Sequence, residues 1–281
     1  MVQSWSAESG AGLPSGMCLA PLADRALLPT GTSLPTRPLS FPPAVLSFLR
    51  ARLSPEGYLG LHLTIGAVLL LVAGALFGAI AEDVATAAPI TLQDVRIARW
   101  LHAHGSAGLT QFMLGVTYLH GVPGVTVMSV IFGVVLWRRH ARYWTLALAI
   151  AVAGGALLNV AMKYAFHRAR PTFDDPLFTL LTYSFPSGHT AGSAAFYGVL
   201  ASYLCARHGS GKARAGIISA AIGMVLLVGA SRMYLGVHYF SDVLGAIAEA
   251  TAWLALTITA VSTLRRSRAR RHGASTGVTH A

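Results

Sequence analysis

The sequence has 281 residues, of which 54% are hydrophobic and only 11% are charged, and its mean hydropathy is +0.59. These values exclude an ordinary soluble domain and are typical of an integral membrane protein. The formal net charge of +11 does not indicate nucleic-acid binding, because the cations cluster beside apolar segments, where they report membrane topology.

The first 58 residues differ in character from the rest of the chain. They contain eight of the thirteen prolines and many Ser, Thr and Gly residues, with no helical or strand period. We expect segment 1–58 to be mostly disordered, with a short surface helix at 42–53, and it does not resemble a signal peptide. Cys18 and Cys205 are expected to be free thiols on the cytoplasmic side.

Six apolar runs follow, and each is long enough to be a candidate membrane span. A bilayer core of about 30 Å needs roughly 20 apolar residues per helix, and lipid offers no partner for unpaired backbone groups. The predicted spans are 59–80, 112–137, 143–162, 190–205, 215–230 and 239–264. The sequence therefore predicts an all-α protein, a polytopic six-transmembrane-helix bundle over residues 59–264.

The arginines and lysines predict the orientation of this bundle. They flank the first span on its N-terminal side, join spans two to three and four to five, and form a basic tail at 265–281. By the positive-inside rule both termini are cytoplasmic, in a multi-pass protein of the plasma membrane, the inner membrane of a bacterium. We expect the tail to contact lipid headgroups and to bind no nucleic acid.

The loop after the first span, residues 91–104, has an amphipathic pattern. Leu92, Val95 and Trp100 alternate with Arg96 and Arg99, which suits a segment lying flat on the outer interface. Two interpretations stay open for this loop. It either rims a functional site or serves as an ordinary interhelical connector.

Three polar clusters interrupt the remaining spans, and each lies at the end of one. They are Lys163, six residues, Arg170-Pro171; Pro186-Ser187-Gly188-His189; and Ser231-Arg232, five residues, His238, three residues, Asp242. With the N-terminus inside, spans three and five end outside and spans four and six begin outside. All three clusters are therefore expected to meet on the extracytoplasmic face.

The cations of these clusters indicate an oxyanion site. Lys163, Arg170 and Arg232 have no equal number of nearby carboxylates, and the arginine fork matches phosphate oxygens. Ser187 and Gly188 open the fourth span, where free N–H groups and the positive end of the helix dipole favour an anion. Arg168, by contrast, is expected to extend toward lipid headgroups.

The histidines of the clusters indicate covalent catalysis. His238 and Asp242 are four residues apart, so the carboxylate can accept from one ring nitrogen and leave the other as a nucleophile. His189, on another helix, is then available as a general acid and later as a base. No cluster has metal-ligand spacing, and Asp174 with Asp175 is expected to be a solvated loop pair, so we expect no metal and no cofactor.

The three clusters resemble the tripartite signature of the type 2 phosphatidic acid phosphatase and vanadium haloperoxidase superfamily at every position. The resemblance implies a metal-independent membrane phosphatase in which His238 attacks phosphorus to form a phosphohistidine. It further implies that Asp242 orients His238 and that His189 protonates the leaving group. The phosphoryl oxygens would be held by Lys163, Arg170, Ser187, Gly188 and Arg232.

The substrate class expected from a site at the headgroup level is a membrane lipid phosphate. Polyprenyl diphosphate, phosphatidic acid and phosphatidylglycerol phosphate all fit. A headgroup phosphotransferase, and a membrane protein that binds or transports phospholipid without turnover, are the alternatives. The sequence does not specify an oligomeric state.

Overall fold

The computed structural model describes residues 61–175, 180 and 182–276, with side chains up to residue 270. Every regular element within these residues is helical, which confirms the expected all-α class. The helices are α1 (Leu61–Ala85), α2 (Pro89–Ala103), α3 (Ala107–Leu119), α4 (Val122–Arg138), α5 (Arg142–Ala149), α6 (Gly155–Phe166), α7 (Gly188–Arg207), α8 (Gly211–Tyr234) and α9 (Phe240–Thr276). A π-helical turn, Ile150–Gly154, joins α5 to α6.

Some sequence-based expectations fall beyond this region. The predictions of a mostly disordered segment at 1–58, of a short helix at 42–53 and of a free thiol at Cys18 concern residues outside the described ones. Cys205 is a free thiol. Helix α9 continues to Thr276, so the last span does not end as a helix at residue 264 as predicted. Arginine is a good helix former, and a helix need not stop where the apolar residues do.

Four helical stretches are long and apolar enough to cross a bilayer. They are Leu61–Ala85, Arg142–Phe166, Gly211–Tyr234 and Phe240–Arg270. Helices α3 and α4 meet the same criteria as a pair, which gives five. Helix α7 has 20 residues but is too rich in Gly, Ser, Thr and Tyr to qualify. The described chain therefore provides four or five spans by length and composition, compared with the six predicted.

Helix α7 is less apolar because it lies among other helices. It packs against α4, α5, α6, α8 and α9. Its residues Phe196, Val199 and Tyr203 join Leu136 of α4 and Leu148 of α5 in the largest buried apolar cluster of the described chain. Polar residues are tolerated in membrane helices when they face the interior of a bundle.

The second predicted span, 112–137, is wrong as a single helix. Helix α3 ends at Leu119, α4 begins at Val122, and the two are bent by 53°. Pro123 in the first turn of α4 cannot continue a preceding helix, because its ring clashes with the carbonyl of Leu119 four residues earlier. Gly124 permits the bend, since a Cβ there would collide with the Leu119 carbonyl oxygen.

Helix α2 corresponds to the amphipathic loop predicted at 91–104. One face buries Asp94 and Ala98, while Leu92 and Trp100 are 62% and 60% exposed. The helix packs against α8 and α9. It therefore lies beside the helix ends that carry the third polar cluster and is more than a connector.

Candidate active site

The His238 imidazole and the Asp242 carboxylate form the centre of the site. Gly236 adopts a φ of +69° in the turn after α8, a conformation that glycine adopts without strain, and this turn leads directly to His238. Asp242 lies in the first turn of α9, and its Oδ2 accepts the backbone N–H of Tyr239 at 2.8 Å. This bond is one half of a capping box, in which an acidic side chain satisfies a free amide at a helix start.

The carboxylate also orients the ring. His238 Nδ1 lies 3.3 Å from Asp242 Oδ2, and the Ser184 hydroxyl donates to the same oxygen. Burial lowers the pKa of His238 to about 3, so the ring is neutral at neutral pH. A proton on Nδ1, facing the carboxylate, leaves the lone pair on Nε2.

Arg170 borders the free nitrogen of His238. Its Nη1 lies 3.3 Å from His238 Nε2 and donates to the Val237 carbonyl at 2.7 Å. The other guanidinium nitrogens donate to the backbone oxygen and hydroxyl of Thr182 at 2.7 and 2.8 Å. Neutral acceptors thus hold Arg170 in place without cancelling its charge, which stays available for an anion.

Lys163 is held in the same way. It lies in the last turn of α6, and its Nζ donates to the carbonyls of Tyr183 and Ser184 at 2.8 and 3.3 Å. No carboxylate among the described residues lies within ion-pairing distance of this ammonium. Lys163 and Arg170 therefore both contact the segment that leads into α7 and both keep their positive charge.

Arg232, at the end of α8, is a buried cation with few partners. Its side chain donates from Nη1 to the Thr117 hydroxyl at 3.3 Å, and its Nε is buried without an acceptor among the described residues. The residue is only 3% exposed. Burying an unpaired charge is costly, so this guanidinium favours an anionic ligand.

Replacing Arg232 with glutamine is expected to weaken the binding of a tetrahedral oxyanion such as tungstate about 10- to 100-fold, the cost of losing a charge-assisted hydrogen bond. Isothermal titration calorimetry of the detergent-solubilised protein measures the dissociation constant of the oxyanion. Arg99→Gln, which removes an exposed arginine of α2, serves as the matched control. An unchanged constant in Arg232→Gln would exclude this arginine from the anion site.

The start of α7 differs in part from its predicted role. The Ser187 N–H donates to the Asp242 carbonyl at 3.1 Å, and the Ser187 hydroxyl pairs with that of Thr190 at 2.9 Å. The Ser187 amide is therefore not free as predicted. The amides of Gly188, His189 and Thr190 have no backbone acceptor within the described chain. Free amides at a helix start attract anions.

His189 lies in the first turn of α7, facing the bend between α3 and α4. A Cβ on Gly121 would lie 3.5 Å from His189 Nε2. The ring is within electrostatic range of Arg170, Arg232 and His238. The structure thus brings residues of all three sequence clusters to one end of the bundle.

The prediction that Arg168 extends to lipid headgroups is wrong. Its side chain is 12% exposed and forms ion pairs with Asp94 at 2.7 Å and with Asp242 at 2.6 Å. Arg168 also stacks over Tyr239, with its Cζ 4.5 Å from the ring centroid. Both ion pairs join residues more than 70 positions apart, and no local sequence pattern marks such a pair. Sequence reasoning therefore missed the roles of Arg168 and Asp94.

The described residues contain no group of three His, Cys, Asp or Glu side chains that could hold a metal ion. Asp175, predicted as a solvated loop residue, is exposed and pairs with His102 Nε2 at 2.9 Å. The three cations and the helix start give the site a positive charge that suits a phosphate-like anion beside a neutral imidazole.

Comparisons with known proteins agree with this arrangement. The family model of the PAP2 superfamily matches residues 142–266. The chain is 35% identical over 141 residues to phosphatidylglycerophosphatase B of Bacillus subtilis strain 168, covering 49% of this chain and 68% of that protein.

Two solved structures match the structure of this chain. The crystal structure of a transmembrane PAP2-type phosphatidylglycerolphosphate phosphatase from Bacillus subtilis is 28% identical, with a TM-score of 0.59, and the match covers 68% of this chain and 93% of that chain. The crystal structure of LpxE from Aquifex aeolicus is 22% identical, with a TM-score of 0.48, and covers 59% of this chain and 94% of that chain.

Proposed function

Because this chain belongs to the PAP2 superfamily and is a membrane lipid phosphatase, we propose that it cleaves a lipid phosphate ester or diphosphate through a phosphohistidine on His238. The observation that carries the mechanism is the geometry of His238, whose Nδ1 lies 3.3 Å from the Asp242 carboxylate and whose Nε2 lies 3.3 Å from Arg170 Nη1. A site that only binds phosphate has no need of an oriented nucleophile.

In the first step, the lone pair on His238 Nε2 attacks phosphorus and the bond from phosphorus to the lipid oxygen breaks. The negative charge of the bound phosphate favours the protonated form of His189, which donates its proton to that oxygen, so the lipid product leaves neutral at this position. Asp242 stabilises the positive charge that develops on the His238 ring. The result is a phosphohistidine and a neutral His189.

In the second step, His189 removes a proton from water, which attacks phosphorus and breaks the phosphorus–nitrogen bond. Inorganic phosphate leaves and His238 returns to its neutral form. Lys163, Arg170 and Arg232, with the amides that open α7 at Gly188, hold the phosphoryl oxygens in both steps. Preorganised positive charge is the main source of rate in phosphoryl transfer. Ser187 supports this cradle through its buried hydroxyl and its bond to the Asp242 carbonyl.

The membrane arrangement that we propose has six spans, with α7 inserted among the helices that surround it and α3 with α4 forming one bent crossing. Support comes from the five candidate spans and from the central position of α7. Residues 1–58 and the basic tail 265–281 would lie in the cytoplasm of a bacterium. The membrane domain 59–264 would present the site on the extracytoplasmic face.

For the substrate, we propose phosphatidylglycerol phosphate first, because the sequence match and the structure match from Bacillus subtilis are both named for that activity. Polyprenyl diphosphate and phosphatidic acid present the same phosphoryl group at the same depth. The alternative functions are transfer of the phosphoryl group to another headgroup and phospholipid binding without turnover. A phosphotransferase would release little inorganic phosphate when an acceptor alcohol is present, and a binding protein would release none.

Phosphate release by the purified protein is expected to persist in EDTA and to be blocked by orthovanadate, which mimics the trigonal bipyramidal geometry of phosphoryl transfer. The measurement is inorganic phosphate released in detergent from phosphatidylglycerol phosphate, phosphatidic acid, a polyprenyl diphosphate and a soluble phosphate ester. A metal-dependent lipid phosphatase treated with the same EDTA provides the control. Complete loss in EDTA would show that a metal takes part, and no release from any substrate would contradict the hydrolase mechanism.

A further inference from the structure

A buried ion-pair network joins Asp242 of the third sequence cluster to Arg168 and Asp94, which are not among the residues named in those clusters. Arg168 lies in the loop after α6, and its Nη1 donates to Asp242 Oδ1 at 2.6 Å and to the Ser241 hydroxyl at 2.7 Å. Its Nη2 donates to Asp94 Oδ2 at 2.7 Å. One guanidinium therefore joins the first turn of α9 to α2.

Asp94 closes the network from the other side. Its Oδ1 accepts the backbone N–H of Ser241 at 2.9 Å, and its Oδ2 accepts the Ser241 hydroxyl at 2.5 Å. The carboxylates of Asp94 and Asp242 are both fully buried. Two buried carboxylates with one shared cation require well-formed hydrogen bonds, and each of their four oxygens has at least one donor.

The network divides the two oxygens of Asp242 between different partners. Oδ1 bonds to Arg168, whereas Oδ2 faces His238 Nδ1 and accepts from the Ser184 hydroxyl and the Tyr239 N–H. If Arg168 did not hold Oδ1, the donors at Oδ2 would fix one oxygen only and the plane of the carboxylate could turn, because such terminal torsions have broad minima. Rotation would change the angle and distance at which Oδ2 meets the imidazole.

We propose that Asp94 and Arg168 are a positioning pair, which fixes the Asp242 carboxylate from helix α2 so that the His238 ring is held for attack. The inference rests on the proposed function of His238. Neither residue touches the reacting atoms in this account. Helix α2, whose Leu92 and Trp100 are exposed on its opposite face, thereby becomes part of the machinery of the site.

Changing the shape of the cation at position 168 while keeping its charge distinguishes a positioning role from a role in stability alone. Lysine keeps the charge of Arg168 but has a single ammonium, which cannot bond two carboxylates in the fixed geometry of a planar fork. If Arg168 positions Asp242, the variant Arg168→Lys should have a lowered kcat even when the protein folds normally.

The test compares Asp94→Asn and Arg168→Lys with matched controls on the same surface, Asp175→Asn and Arg99→Lys, which alter an exposed carboxylate and an exposed arginine. We expect both network variants to lower kcat about 10- to 100-fold, the range that outer-shell partners of functional residues have at other sites. KM should change less than about 3-fold, because the phosphate ligands are intact. The controls should match the wild type.

Two further measurements separate positioning from folding. The melting temperature reports stability, and the rate of enzyme phosphorylation in a single turnover reports the step that the geometry of His238 governs. The double variant Asp94→Asn with Arg168→Lys should be no slower than the slower single variant, since residues that act as a unit are not additive. Ser241→Ala, which removes only the shared hydroxyl, should shift the phosphorylation rate in the same direction without unfolding the protein.

Wild-type phosphorylation rates in Arg168→Lys and Ser241→Ala would overturn the proposal, as would losses of rate that merely follow a loss of folded protein. Either result leaves the function of His238 intact if the wild type still forms a phosphoenzyme. A wild type that forms none would instead refute the proposed function itself.

Discussion

Replacing His238 with asparagine is expected to lower kcat for phosphate release by a factor on the order of 10⁴ or more, as seen when a covalent nucleophile is removed. Asparagine retains an N–H that can reach the Asp242 carboxylate, so the buried pair stays satisfied and the fold is preserved. It has no ring nitrogen at the position of Nε2. The variant therefore isolates nucleophilic attack from the packing of the site.

The matched control for this variant is His208→Asn. His208 is an exposed histidine just beyond α7, and within the described residues its ring bonds only to the Leu204 carbonyl. Phosphate release by this control should equal that of the wild type. A His238→Asn protein that keeps more than about a tenth of wild-type kcat, with the same melting temperature, would contradict covalent catalysis by this residue.

Replacing His189 with glutamine is expected to lower kcat on a lipid phosphate about 10²- to 10⁴-fold, the usual contribution of general acid–base catalysis. The loss should depend on the leaving group. An alkoxide needs a proton as it departs, whereas a nitrophenolate is stable without one. Phosphoenzyme formation in a single turnover reports the first step alone. Comparing its rate for the lipid substrate and for para-nitrophenyl phosphate in the same protein therefore measures the acid role directly.

One outcome of the leaving-group comparison would contradict the acid role of His189. If phosphoenzyme formation in His189→Gln slowed by the same factor with both substrates, the ring would act in binding and not as the acid of the first step. Arg232→Gln provides the contrast, because an oxyanion ligand should affect both substrates equally. Phosphoenzyme should form readily from para-nitrophenyl phosphate in His189→Gln and decay slowly, since the same ring serves as base for water.

Much of the arrangement of the site could be predicted from the sequence, because it follows from local spacing and from the alternating direction of the predicted spans. His238 and Asp242 are close in the chain, and their contact forms at the start of α9, with His238 two residues before the helix begins and not inside it. Polar clusters at the ends of four apolar segments are expected to meet when the predicted segments cross the membrane in alternating directions.

What the sequence could not provide were contacts between distant segments that lack a periodic pattern. No local pattern marks the role of Arg168, because its partners, Asp94 and Asp242, lie more than 70 residues away on either side. Helix geometry alone predicts a free Ser187 amide, but this amide donates to the Asp242 carbonyl of α9. Pro123 could have revealed the bend between α3 and α4, since a proline inside an apolar run marks a helix start or kink.

The central claim, that a lipid phosphate is transferred to His238, is tested most directly by trapping the intermediate. Wild-type protein would be mixed with ³²P-labelled phosphatidylglycerol phosphate, quenched in alkaline denaturant, where phosphohistidine is stable, and digested for peptide mapping. We predict alkali-stable, acid-labile label on the peptide that contains His238, and none in His238→Asn. Label on another residue, or turnover of this substrate without any labelled protein, would contradict the account.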